Sequence, residues 1–237
     1  MGHLRLASAV CLRAPQARVR LSAGDGRDWI PAQRHLRGPE FPHEELRSRA
    51  RRRLGIPEGV HAVLYAPTWR DYNSVSEFRS ERVDLVRYDE VALQLGPGYV
   101  LLVRGHQMAA RTGSRVSGSA GIVDVTDYPE IRDLVLASDS AVLDYSSLRF
   151  DYALTRKPMA FLVPDLERYR ESRDWLLDYG PTAPGPLVKD ESGLVEAIRR
   201  FAEDRDVYAS AAEEMVTSLM PLEDGEASSR LANLLPL

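Results

Sequence analysis

Cysteine occurs once in the 237 residues, at Cys11, so neither an internal disulfide framework nor a cysteine-based zinc site can be built from this chain. Histidine is sparse as well: the five residues are scattered and no HExxH occurs, which leaves a structural metal without ligands. Aromatics are only 8% of the chain. The longest apolar run is a handful of residues, far short of the roughly 20 that span a bilayer. Lysine is nearly missing, with Lys157 and Lys189 set against 29 arginines. That bias looks like coding composition rather than selection for phosphate contacts, so a nucleic-acid-binding role is not expected. Motifs are missing too: there is no GxGxxG, no GxxxxGK[ST] and no GxSxG, which excludes the common dinucleotide, P-loop and serine-hydrolase signatures.

What is present suffices for one good core. Hydrophobic residues make up 44% of the chain and charged residues 28%, the balance of a globular protein read here as soluble and cytoplasmic. The net charge of −4 hides an asymmetry. Residues 1–53 carry 12 arginines against 5 acidic residues, a net of +7, whereas the remainder is net −11. Residues 1–42 show no sustained period and are broken by Gly24, Gly26, Pro31, Gly38, Pro39 and Pro42, so they read as an irregular basic arm. Residues 43–237 read as the ordered domain, with a charged helix over Glu44–Leu54 at its start.

From His61 onward, short apolar runs alternate with helical spacing. Strands are expected at His61–Ala66, Tyr99–Arg104, Gly121–Val125, Ala141–Tyr145 and Pro158–Val163. Helices are expected at Val83–Leu95, Pro129–Ala137, Ser147–Thr155, Leu194–Asp204 and Val207–Leu219. The alternation predicts an α/β fold with a doubly wound, Rossmann-like parallel sheet.

In such a sheet ligands sit beyond the carboxyl ends of the strands. Those ends carry APTWRD (Ala66–Asp71), RGH (Arg104–His106), TDYPE (Thr126–Glu130) and DYSS (Asp144–Ser147), each bringing polar groups to one rim. In DYSS two serines open a helix, an arrangement that suits an anion as well as plain N-capping. His106, beside Arg104, has the chemistry of a general acid/base or of a phosphate donor. Further on, Tyr169, Arg170, Arg173 and Trp175 could clamp a diphosphate and stack on a base, or form an amphipathic loop helix.

Together these segments resemble the CDP-glycerol glycerophosphotransferases, the teichoic acid polymerase and primase enzymes. The matching stretches are LYAPTWRD (Leu64–Asp71), YVLLVRGH (Tyr99–His106), the block Val125–Arg173 with DYSS and FDYA inside it, Asp178-Tyr179, and PGP at Pro184–Pro186. The resemblance implies the C-terminal, donor-binding domain of a glycosyltransferase-B architecture. It implies transfer of glycerol phosphate from CDP-glycerol to the hydroxyl of a polyol-phosphate or glycolipid acceptor, with release of CMP and no cofactor. On that basis His106 and Asp144 are the catalytic candidates. Ser146, Ser147, Arg173 and Arg104 are expected to bind the donor phosphates, and Thr68, Trp69 and Arg70 to line the cleft.

Two departures accompany the resemblance. The irregular arm does not match the family's N-terminal half, so a partner chain or a homo-oligomer is expected to complete the enzyme. Gln107 also follows the histidine where relatives have proline. The alternatives are a non-catalytic nucleotide-binding or docking module, and an enzyme of the same architecture using another nucleotide-activated donor. Arg47–Arg53 is expected to help the protein adhere peripherally to anionic lipid at the cytoplasmic face of the membrane.

Overall fold

A computed structural model of the chain describes residues 43–68, 74–76, 79–80, 85–105, 121–172, 177–224 and 233. Its framework is a six-stranded, wholly parallel sheet: β1 (His61–Tyr65), β4 (Tyr99–Val103), β5 (Ile122–Asp124), β6 (Ser140–Leu143), β7 (Met159–Leu162) and β8 (Leu187–Val188). A separate antiparallel pair, β2 (Ser74–Ser76) and β3 (Arg79–Ser80), follows β1. The order in the large sheet is β5-β4-β1-β6-β7-β8. The chain therefore winds outward one way from β1 and then the other way from β6. The resulting switch point lies between β1 and β6, and in sheets of this kind ligands sit beyond the carboxyl ends at that point.

The central strands are mostly apolar because both faces of the sheet are covered there. Every residue of β6 and β7 is buried. Alternation along β1 divides the core: Ala62 and Leu64 face one layer, Val63 and Tyr65 the other. The first layer packs α1 (His43–Leu54), α3 (Ile131–Ala137), α4 (Leu148–Ala153) and α8 (Arg205–Leu219), through residues such as Ala50, Leu134, Tyr152 and Met215. The second packs α2 (Tyr88–Leu95) and α7 (Glu191–Arg200), through Val91, Leu95, Leu194 and Ile198. Two short helices, α5 (Leu166–Ser172) and α6 (Tyr179–Thr182), lie between β7 and β8.

Local chemistry accounts for several boundaries. In α1, Glu44 and Glu45 occupy the first turn and Arg51–Arg53 the last, matching the helix dipole, and Gly55 at φ 68° ends it. The Asp190 carboxylate accepts from Gly193 N–H at 2.8 Å and starts α7. Gly185 admits the closest approach, since a Cβ there would lie 1.9 Å from the Met159 carbonyl oxygen. That explains the glycine within Pro184–Pro186 where β8 joins β7.

The five expected strands and the doubly wound sheet are present. Several helix limits differ. Over the expected Val83–Leu95 helix, residues 83–84 lie outside the described residues, and helical structure starts only at Tyr88 because Arg87 is extended (φ −83°, ψ 104°). Pro129 precedes α3 instead of entering its first turn, and Glu130 holds the N-cap position. The helix expected over Ser147–Thr155 has six residues, Leu148–Ala153. The basic arm, residues 1–42, lies outside the described residues. No helix among those described is long and apolar enough to cross a membrane.

Candidate functional site at the carboxyl ends of the strands

The switch point is closed by a direct contact between the loops that leave β1 and β6. Asp144, only 1% exposed, accepts the Thr68 N–H on both carboxylate oxygens, at 2.9 and 2.8 Å, and the Thr68 hydroxyl on Oδ1 at 2.5 Å. A buried carboxylate receiving two donors, one of them shared by both of its oxygens, is compensated in part, and the contact fixes one loop against the other. The Tyr179 hydroxyl, brought over by α6, donates to the Asp144 carbonyl oxygen. Three segments remote in sequence thus meet at one aspartate.

Ser146 and Ser147 follow immediately. The Ser146 hydroxyl accepts the Leu148 N–H at 3.2 Å, so it does act as a cap. Ser147 sits at the N-cap position with helical dihedrals (φ −65°, ψ −13°), and its side chain makes no capping bond. Capping therefore accounts for one serine of the pair.

An aromatic cluster covers this corner. Tyr145 stacks on Tyr169 of α5 with ring centroids 3.7 Å apart, and its hydroxyl donates to Asp165 Oδ1 at 2.9 Å. Tyr179 meets both Tyr145 and Phe161 edge-on. Beneath it lies Arg149, 6% exposed, with its guanidinium carbon 4.7 Å from the Tyr179 ring centroid and 4.9 Å from that of Phe150. Burial lowers the Arg149 pKa from its ordinary value, while the Tyr179 hydroxyl, as a hydrogen-bonding neighbour, acts in the opposite sense.

Two strands away from β6 on the same rim, Arg104 reaches the loop after β5, where its Nη1 donates to the Tyr128 carbonyl oxygen at 2.9 Å. Partial burial lowers its pKa as well. The adjacent Gly105 N–H donates to Thr126 Oγ1 at 2.9 Å, locking the loops that leave β4 and β5.

Of the residues singled out from the sequence, Thr68, Asp144, Ser146 and Ser147 are brought together, with Arg104 two strands away on the same rim. Trp69, Arg70, His106 and Arg173 lie outside the described residues. Sequence reasoning missed roles for Tyr179, Tyr145 and Arg149. Tyr179 had a signal in the Asp178-Tyr179 pair. Arg149 had none, because in a chain with 29 arginines it reads as one more solvated helix residue. Among the described residues no group of three or more His, Cys, Asp or Glu could hold a metal ion.

The basic helix α1 differs from its sequence reading. Arg47 donates to Asp139 Oδ1 at 2.5 Å, and Arg51, 8% exposed, turns into the protein. Arg53 reaches Asp133 at 3.3 Å. Of the arginines in Arg47–Arg53 that the sequence offered for lipid contact, Arg49, Arg52 and Arg53 are exposed.

The six-stranded parallel sheet with helices on both faces places the chain in the doubly wound α/β class, with the hydroxyls of Thr68, Ser146 and Ser147 at its switch point. Comparison with known proteins supplies the family. The sequence model of CDP-Glycerol:Poly(glycerophosphate) glycerophosphotransferase matches residues 42–236, and the chain belongs to that family. It is 37% identical over 183 residues to the teichoic acid glycerol-phosphate transferase of Staphylococcus aureus, covering 76% of this chain and 46% of that protein. It is 33% identical over 193 residues to the teichoic acid poly(glycerol phosphate) polymerase of Bacillus subtilis, covering 81% of this chain and 26% of that one. Among solved structures, a variant of the wall teichoic acid polymerase TagF with CDPG superposes with a TM-score of 0.74 at 26% identity, covering 86% of this chain and 49% of the other. The chain thus spans a quarter to a half of the length of these relatives.

Proposed function

We propose that this chain is the donor-binding domain of a glycerophosphotransferase that moves glycerol phosphate from CDP-glycerol to a hydroxyl of a teichoic-acid-type polymer. In that reaction the acceptor hydroxyl oxygen forms a bond to the glycerol-bearing phosphorus and releases its proton to solvent, the bond from that phosphorus to the oxygen bridging the two phosphates breaks, and CMP leaves. The observation that carries the reading is the Thr68–Asp144 closure of the switch point, which presents Ser146 and Ser147 at the position where a doubly wound sheet takes its ligand. Family membership and the TagF structure with CDPG support it.

The parts divide by chemistry. Ser146, Ser147, Arg104 and Arg173 hold the diphosphate by hydroxyl and guanidinium donation. The helix behind the serines is six residues long, so these side chains rather than a helix dipole carry most of the work. His106 stabilises or protonates the departing CMP phosphate. Thr68, Trp69 and Arg70 line the cleft. Asp144 acts as a positioning residue, because both of its carboxylate oxygens are engaged with Thr68. The acceptor, a polyol phosphate or glycolipid, is met with a partner chain or a second copy, at a peripheral site on the membrane.

Calorimetric titration with CDP-glycerol, with CDP and UDP-glucose as controls, tests this. The expected result is selective binding of the cytidine ligands, weakened about tenfold or more in the Ser146→Ala, Ser147→Ala double variant. A folded chain that binds none of them would remove the donor-site reading.

A further inference from the structure

The donor corner holds a charge that the reading above does not use. Arg149 and Arg51 are nearly equally buried, at 6% and 8% exposure. Arg51 is fully employed: it donates to the Ala137, Pro57 and Val60 carbonyls and to Asp139. Arg149 instead leaves Nη1 buried with no hydrogen-bond partner, and among the described residues no carboxylate pairs with it. Burying an ion without a counter-charge is costly, and a well-packed apolar side chain of similar volume would remove that cost. Two aromatic faces offset part of it. The fold nevertheless retains the guanidinium in the first turn after Ser146–Ser147, beneath the tyrosine that bonds to Asp144.

We propose that Arg149 is an anion-positioning residue of the donor site, a buried cation beneath the Ser146–Ser147 loop whose missing counter-charge is the diphosphate of the bound nucleotide. The inference rests on the donor-site reading. It goes further in assigning part of the diphosphate's affinity to a residue that stays under Tyr179 and acts through the low-dielectric interior rather than by contact. In that medium a unit charge several ångströms from a phosphate has an effect that water would largely screen. The same absence of water leaves Arg149 as a stability liability until the ligand arrives.

The test uses the 237-residue chain with Arg149→Met and Arg149→Lys, titrated with CDP and with uncharged cytidine, and unfolded by denaturant without ligand. Arg149→Met is expected to weaken CDP about tenfold, leave cytidine within about twofold, and unfold at the same or a higher denaturant midpoint. Arg149→Lys is expected to recover most of the CDP affinity. Equal losses for CDP and cytidine would assign Arg149 a structural role and overturn the proposal. So would unchanged CDP binding, or an Arg149→Met chain that fails to fold. If the wild-type chain binds neither ligand, the donor-site reading falls and takes this inference with it. Wild-type binding with an indifferent Arg149→Met overturns the inference alone.

Discussion

Strand β6 runs between two aspartates, Asp139 just before it and Asp144 just after, and the two ends of the sheet use them differently. At the amino end Asp139 accepts from Arg47, Arg51 and the Ala62 N–H. Nearby, Lys157 is enclosed and donates to the Val135, Leu136 and Ser138 carbonyls at 2.7–3.0 Å, closing the carboxyl end of α3. Charge at this end is consumed in tying α1 and α3 to the sheet. At the carboxyl end Asp144 ties two loops together, yet Arg149 Nη1 has no partner and the Ser147 side chain makes no capping bond. The contrast shows where polar capacity is spent on folding and where part of it is left unspent.

The comparison can be broken most severely at its closed end. Arg51→Met is expected to cost roughly 3–5 kcal/mol, because three carbonyls and Asp139 lose a donor inside the protein. Denaturant unfolding would show this as a large drop in midpoint with an unchanged slope. A loss within about 0.5 kcal/mol would mean that the two buried arginines are equivalent after all.

Lys157 sharpens the same comparison through pH. Burial lowers its ammonium from an ordinary value of 10.5 to about 7. Between those values the unfolded chain holds the proton that the folded chain has released. Stability attributable to Lys157 is therefore lowest below about pH 7 and rises with pH across that window. Midpoints measured from pH 7 to 10 should show the rise in the wild type and lack it in Lys157→Met. Parallel profiles would contradict it.

A smaller effect is expected at the open end. Tyr179→Phe removes the hydroxyl that donates to the Asp144 carbonyl and neighbours Arg149, while keeping the ring over the guanidinium. It should cost about 1 kcal/mol of stability and a few-fold in CDP-glycerol affinity. An affinity loss matching that of the double serine variant would move Tyr179 from support to direct contact.

The sheet was legible in the sequence because strands covered on both faces are near-continuous apolar runs, as in YVLLV and PMAFLV. The missed elements lacked such a run. β8 is two residues beside a proline-glycine turn, and the β2–β3 pair is built of serine and arginine around Val75. Tyr88 starts its helix late because backbone extension at Arg87 overrides a pattern that reads as helical from Val83. At the rim, Thr68, Asp144 and the serines could be found from their places after strands. Their contact could not, since it depends on the order β4-β1-β6, which brings segments 76 residues apart side by side. Arg51 and Arg149 were least legible. In an arginine-rich chain each reads as one more solvated helix residue, and only the fold shows that both are buried.

The most direct test of the contrast is amide hydrogen exchange on the 237-residue chain with and without CDP-glycerol. Added protection at Ala66–Thr68 and Tyr145–Arg149, with none at Ala137–Asp139 or Lys157, is the result the account predicts. Protection confined to the amino end of the sheet, or equal at both ends, would contradict it.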